Sequence, residues 1–226
     1  MTLESQSPLT ELVAVMARLR RECAWDARQT HRSLVEYLLE ETHETIEAIE
    51  TDDSVALREE LGDLLLQVVF HARIAAEAEG WDIDDVAAGI VAKLVRRHPH
   101  VFGADSEYAD LAEVGTRDES TLNRNWAAIK RAEKSRDSVL DGIPAGLPAL
   151  AWAQKSWRRA GEAGLAEVSP APDSPAGAPP TDPDELADQL LTLVVAAEAN
   201  GWDAEAALRD RVRRLHADVR ARESGG

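Results

Sequence analysis

The sequence predicts an all-α protein, an antiparallel helical bundle followed by a smaller helical pair. Three observations carry this. Apolar residues recur at steps of three and four through much of the chain, and nothing before residue 100 alternates as a half-buried strand would. Ala and Leu dominate while aromatics make up 4%, a composition suited to helix packing rather than a β-sandwich. Gly and Asp pairs punctuate the periodic stretches where helices would stop and restart.

The elements follow in order. Leu9, Leu12, Val13, Met16 and Leu19 give the first helix one apolar face. A loop runs from Cys23 to His31, and Ser33 with Glu36 has the spacing of a capping box opening a second helix that reaches about Ile49. Asp52, Asp53 and Ser54 make the turn to a third helix, Val55 to Glu79, which Gly80 ends as a C-cap residue. Asp82 to Asp85 offer N-caps for a fourth helix, which stops at His98 because Pro99 disfavours helical geometry before it. Asn123 to Arg136 reads as a polar helix containing Trp126 and Lys130, and Ala149 to Ala160 as another. Six prolines between Ala166 and Pro183 predict a flexible linker, and a last helical pair spans Glu185 to about Arg220. The expected organisation is a main module over 1–165, a linker over 166–183 and a degenerate second module over 184–226. That last pair echoes the third and fourth helices. Glu60-Leu-Gly-Asp63 resembles Glu185-Leu-Ala-Asp188, and Glu77-Ala-Glu-Gly-Trp-Asp82 resembles Glu198-Ala-Asn-Gly-Trp-Asp203.

Charge narrows the partners. Lys plus Arg number 25 against 42 Asp plus Glu, a formal net charge of −17. Such a surface repels phosphate backbones and anionic lipid heads, so no nucleic acid and no membrane is expected as a partner. The apolar run Leu64 to Phe70 is broken by Gln67 and far too short to span a bilayer. Cys23 is the only cysteine, which excludes an intrachain disulfide and fits a reducing cytoplasm.

The chemistry lies in misplaced carboxylates. On the second helix Leu34, Leu38, Thr45 and Ile49 form the apolar stripe, with Glu36, Glu40, Glu47 and Glu50 opposite. Glu41 instead falls between Leu34 and Ala48 inside the apolar arc, and Glu44 lies at its edge. The third helix is apolar almost all round, yet Glu60, Asp63, Gln67 and His71 occupy one narrow stripe. A short turn makes the two helices an antiparallel hairpin, so Glu41 and Glu44 would face Glu60 and Asp63. Four such carboxylates cannot all ionise in a dry groove without a cation, and oxygen-only ligands suit Mg²⁺ or Mn²⁺ better than zinc. On the fourth helix Lys93 and Arg97 share the stripe of Val86, Ile90 and Leu94, with Arg96 adjacent. Inward cations beside an acidic metal site suit a polyphosphate. Trp126, on a polar helix, is placed for stacking on a base.

These residues resemble a known family. Glu40-Glu41-x-x-Glu44 followed by Glu60-x-x-Asp63 is similar to the metal-binding signature of the all-α nucleoside triphosphate pyrophosphohydrolases, and the wider stretch resembles their MazG branch. The shared blocks are Trp25-Asp-x-x-Gln-Thr30, Tyr37-Leu-Leu-Glu-Glu41, Glu60 to His71, Arg96 to Phe102, Trp126-x-x-x-Lys130 and Leu147-Pro-Ala-Leu-x-x-x-Gln-Lys155. The resemblance implies Mg²⁺ on Glu41, Glu44, Glu60 and Asp63, triphosphate held by Lys93, Arg96 and Arg97, and a nucleotide near Trp126 and Lys130. It implies hydrolysis of NTP or dNTP to NMP or dNMP and pyrophosphate, by water that Glu40 orients or deprotonates, in a homodimer that cleanses the nucleotide pool. Two departures stand out: Ala24 occupies a position where the family often has Pro, and the second module keeps only Glu185 and Asp188. Two other readings stay open, a carboxylate-bridged metal bundle and a non-catalytic adaptor of the same fold. The single Glu40-x-x-His43 opposes the first, and the retained acids oppose the second.

Overall fold

The computed structural model describes residues 7–103, 106, 118, 121–122, 125–126, 129, 133, 138–165 and 179–224. All regular elements among them are helical: α1 (Pro8–Glu22), a 3₁₀ turn (Asp26–Arg28), α2 (Val35–Glu50), α3 (Ser54–Ala78), α4 (Ile83–Arg97), α5 (Pro99–Phe102), α6 (Ala149–Glu162), α7 (Pro183–Ala199) and α8 (Ala204–Ser224). The chain divides into two compact units, 1–130 and 131–226. In the second unit α6 packs on α7 and α8. Most of the expected linker, 166–178, lies outside the described residues.

In the first unit α2 and α3 form the antiparallel hairpin, and α1 packs on α3. The hairpin turn is built by Asp52 in the left-handed region (φ 55°) and by Asp53, whose carboxylate caps α3 by accepting from the amides of Val55 and Ala56. Met16, Leu34, Val69, Phe70 and Ile74 make the core, with Leu12, Tyr37 and Ile83 against it and Trp25 edge-on to Tyr37 and Phe70. Gly80 (φ 80°) ends α3, its amide donating to the Ala75 carbonyl, and Asp82 and Asp85 close a capping box on α4.

The second helix starts differently from the expectation. Its N-cap is Leu34 and no capping box forms. Ser33 is held in the preceding turn, where its hydroxyl donates to Gln29 Oε1 (2.7 Å) and accepts from the Thr30 amide (2.9 Å). A serine engaged by that local turn has no free hydroxyl for the helix.

Arg20 ties α1 to the loop and to α3. It donates to the Asp26 and Gln29 carbonyls, forms a 2.6 Å ion pair with Glu77, and lies 5.8 Å from the Phe70 ring centroid. Its hydrogen bonds to Glu77 hold that carboxyl below the usual glutamate range, with Arg73 assisting. Arg20→Met is expected to cost about 1.5–3 kcal/mol, the usual worth of hydrogen bonds to a charged group. Urea unfolding of the two chains measures this.

In the second unit Gln154 of α6 is buried and fully used. Its amide donates to Glu198 (2.9 Å) and the Trp202 carbonyl (2.6 Å), while its oxygen accepts from Ala204 N (3.0 Å). Arg158 adds an ion pair to Glu198. The α7–α8 turn repeats the device of α3–α4: a glycine at positive φ (Gly201, 71°), then Trp202, then Asp203 accepting from an amide of the next helix. The internal echo is therefore repeated in backbone geometry as well as in residue type.

A candidate metal and nucleotide site

The turn geometry brings one face of α2 against one face of α3. Leu34, Thr45 and Ala48 are buried on α2, and Glu41 lies half-buried between them. Across the groove Glu60 and Asp63 are half-buried, and Gln67 follows fully buried on the same stripe. Carboxylate oxygens of Glu41, Glu60 and Asp63 all lie within 4.8 Å of one another. Glu44 is exposed at the rim, but its charge acts on both helices. Burial and then Asp63, Glu44, Glu60 and Glu40 push the Glu41 carboxyl above the usual range. Burial, then Glu44, Asp63 and Glu59 do the same to Glu60. Glu40 is exposed, as its place opposite the apolar stripe requires, and has the weakest of these effects on Glu41.

This donor set fits a hard divalent cation. Oxygens around Mg²⁺ at about 2.0–2.1 Å stand roughly 3–4 Å apart, so small side-chain movements would close the cluster on an ion. Among the described residues no nitrogen or sulfur ligand belongs to it. His43, the partner of Glu40 in the single Glu-x-x-His, is exposed and bonds through Nδ1 to its own helix at the Leu39 carbonyl (2.7 Å).

The stripe continues past the carboxylates to His71, and here the structure adds a partner that spacing alone does not reveal. His71 Nδ1 lies 2.7 Å from Nδ1 of His31, the rings are parallel at 3° with centroids 5.0 Å apart, and Trp81 stacks on His31. One Nδ1 donates and the other accepts, so protonating both would break the bond. Burial and the neighbouring His31 hold His71 below the usual histidine range. The sign is that of a group kept neutral by folding. Its contribution is present above the unfolded value near 6.5 and is lost as pH falls through the lower folded value. Thermal melts from pH 7.5 to 5 should show an acid loss of stability that His71→Gln flattens, at about 2–4 °C per kcal/mol for a chain of this length.

The predicted cations sit on α4. Lys93, Arg96 and Arg97 are half-buried, whereas Val86, Ile90 and Leu94 on the same helix are 37%, 46% and 47% exposed. The expectation that this stripe faces the core is corrected: α4 packs chiefly on α3 and α5, and Ile83 is its anchor in the core cluster. Arg97 borders a cavity of about 260 Å³, with His98, Leu122, Asn125, Trp126 and Ile129 among its walls. Residues 121–122, 125–126 and 129 are helical, in keeping with the helix expected around Trp126. Lys130 lies outside the described residues. Spacing alone does not single out Asn125, although it stands beside Trp126 on the same helix.

Residues 29–102 match the family described as the MazG nucleotide pyrophosphohydrolase domain. The chain is 36% identical over 225 residues to the nucleoside triphosphate pyrophosphohydrolase/pyrophosphatase MazG of Thermotoga maritima, a match covering 91% of this chain and 81% of that one. The chain belongs to the MazG family. A 26.1 kDa protein of Streptomyces cacaoi is 45% identical over 222 residues, with 95% and 82% covered. The nucleoside triphosphate pyrophosphohydrolase of Escherichia coli K12 is 45% identical over 163 residues, but the chain covers only 59% of that protein's length. The MazG match includes Glu40, the acidic cluster, Lys93, Arg96 and Arg97; Trp126 and Lys130 fall beyond its end.

Proposed function

We propose that the protein is a divalent-metal-dependent nucleoside triphosphate pyrophosphohydrolase, converting NTP or dNTP and water to the monophosphate and pyrophosphate. The observation that carries the reading is the convergence of Glu41, Glu60 and Asp63 oxygens within 4.8 Å, in a groove where burial and then like charges hold Glu41 and Glu60 above their usual range. Such a site is strained until a cation binds. Glu41, Glu60 and Asp63, with Glu44 at the rim, would hold Mg²⁺, or Mn²⁺ in its place. When bound, the metal supplies positive charge at the α-phosphate and a lowered pKa for coordinated water.

The chain's own residues do the rest. Lys93, Arg96 and Arg97 neutralise the phosphate tail, which a molecule of net charge −17 would otherwise repel. Trp126 offers an aromatic face for the base, and Lys130 is assigned to the nucleotide by the family resemblance alone. Glu40, one residue before a cluster ligand and open to solvent, orients the attacking water or takes its proton.

The exposed apolar residues Val86, Ile90 and Leu94 of α4, with Leu61, Leu65 and Val68 of α3, support a homodimer. Light scattering should return twice the 24.7 kDa chain mass. No described helix is long and apolar enough to cross a membrane. The acidic charge disfavours anionic lipid and nucleic acid as partners, and the resemblance to the MazG family supports a cytoplasmic enzyme that cleanses the nucleotide pool. The second module, holding Glu185 and Asp188 without an upstream acidic partner, is structural in this reading.

Metal titration tests the proposal. Turnover of an NTP panel should vanish in chelator and return with Mg²⁺ or Mn²⁺. Undiminished turnover in chelator would remove the carboxylate site from the chemistry.

A further inference from the structure

Among the buried polar groups of the first unit without a hydrogen-bond partner, the side-chain amide of Asn125 belongs to a residue that lines a cavity. Leu122, Asn125, Trp126 and Ile129 stand at i, i+3, i+4 and i+7, the spacing of one helix face, and all four border the 260 Å³ cavity. Ile129 on this face is 1% exposed. An asparagine in that stripe breaks the apolar pattern, and its Nδ2 is buried without a hydrogen-bond partner among the described residues. A buried amide left unpaired costs about 1–3 kcal/mol, so its persistence on an otherwise apolar stripe calls for a ligand.

The surroundings indicate what kind. Trp126 supplies an aromatic face beside the amide, and Arg97 on the cavity wall is a cation placed for the phosphate tail. His98, also on the wall, donates its Nδ1 proton to the Leu94 carbonyl (2.6 Å), so Nε2 is the ring nitrogen left for another partner. The cavity thus combines a stacking surface, an amide carrying both donor and acceptor, and an imidazole ring nitrogen. That set matches the edge of a heterocyclic base, which presents acceptors and donors side by side in its plane.

We infer that Asn125 is a specificity-determining residue, its side-chain amide hydrogen-bonding the edge of a nucleobase seated against Trp126. The inference rests on the proposed nucleotide reading, but its test does not depend on turnover. Because an amide built to pair with one edge is left unpaired by another, Asn125 ranks the bases and does not merely strengthen all of them.

The test measures binding of α,β-methylene analogues of ATP, GTP, CTP and UTP by calorimetry, with ribose 5′-triphosphate as the base-free control. The wild-type protein should discriminate among the four bases. Asn125→Ala should weaken the best analogue about 10–100-fold, the equivalent of 1–3 kcal/mol, and compress the ranking while leaving ribose 5′-triphosphate unchanged. Asn125→Asp, which exchanges the donor for an acceptor, should reorder the ranking. Equal weakening of all analogues and of ribose 5′-triphosphate would show a structural role and overturn the inference, as would an unchanged ranking in both variants. A protein that binds with base preference but does not cleave ATP would overturn the proposed activity and leave Asn125 in its role.

Discussion

Glu60→Gln, Asp63→Asn and Glu41→Gln are each expected to lower turnover by about a thousandfold or more, since a bound cation contributes several kcal/mol to transition-state charge stabilisation. The same substitutions should have the opposite effect on the metal-free fold. Glu41 and Glu60 are held above the usual carboxyl range by burial and by their acidic neighbours. A carboxyl raised in this way favours the folded state below its unfolded value near 4.5, and that contribution is lost as pH rises through the folded value. At neutral pH the metal-free protein therefore carries an unfavourable repulsion that Glu41→Gln relieves. Its melting temperature in chelator should rise above wild type, and the stabilisation that Mg²⁺ gives wild type should shrink. An inactive variant with a lowered melting temperature would mean that the residue supports the fold instead. Differential scanning calorimetry with and without Mg²⁺, run beside the activity assay, separates the two.

The second large effect concerns the cations of α4. Arg97→Ala and Lys93→Ala should each lower kcat/KM about 10²–10³-fold, the scale of losing one charge-stabilising donor from a polyphosphate site. Arg97→Lys should restore only part of the loss, because a point charge does not reproduce a planar two-pronged donor. Steady-state kinetics over a salt series checks both. If Arg97→Ala leaves kcat/KM unchanged, the phosphate tail lies elsewhere.

Much of this site is legible in the sequence, and the reasons are physical. Glu41 is flanked by Leu34 and Ala48 at steps of seven, so any helix there must turn it inward, and the structure leaves it half-buried in that arc. Glu60 and Asp63 follow from the same periodicity, and the Asp52–Asp53 turn is short enough to leave one antiparallel arrangement. What periodicity does not convey is contact across loops. The His31–His71 pair joins positions 40 residues apart, and nothing local to either marks the other. Arg20 reads as an ordinary surface arginine until the Cys23–His31 loop folds over it. The capping expectation at Ser33 fails because a tighter turn with Gln29 and Thr30 claims the hydroxyl first. The apolar stripe of α4 misleads for another reason. A helix wheel reports that a face will be covered, not by what, and within this chain Val86, Ile90 and Leu94 remain uncovered. Asn125 belongs with these omissions, since an unpaired amide becomes visible only when the space around it is known.

The most direct test is the identity of the products. Purified protein incubated with ATP and Mg²⁺ and separated by anion-exchange chromatography should yield AMP and pyrophosphate in equal amounts, with the rate lowered about a thousandfold or more in Glu60→Gln. ADP with orthophosphate, or product formation at an undiminished rate in Glu60→Gln, would contradict the account.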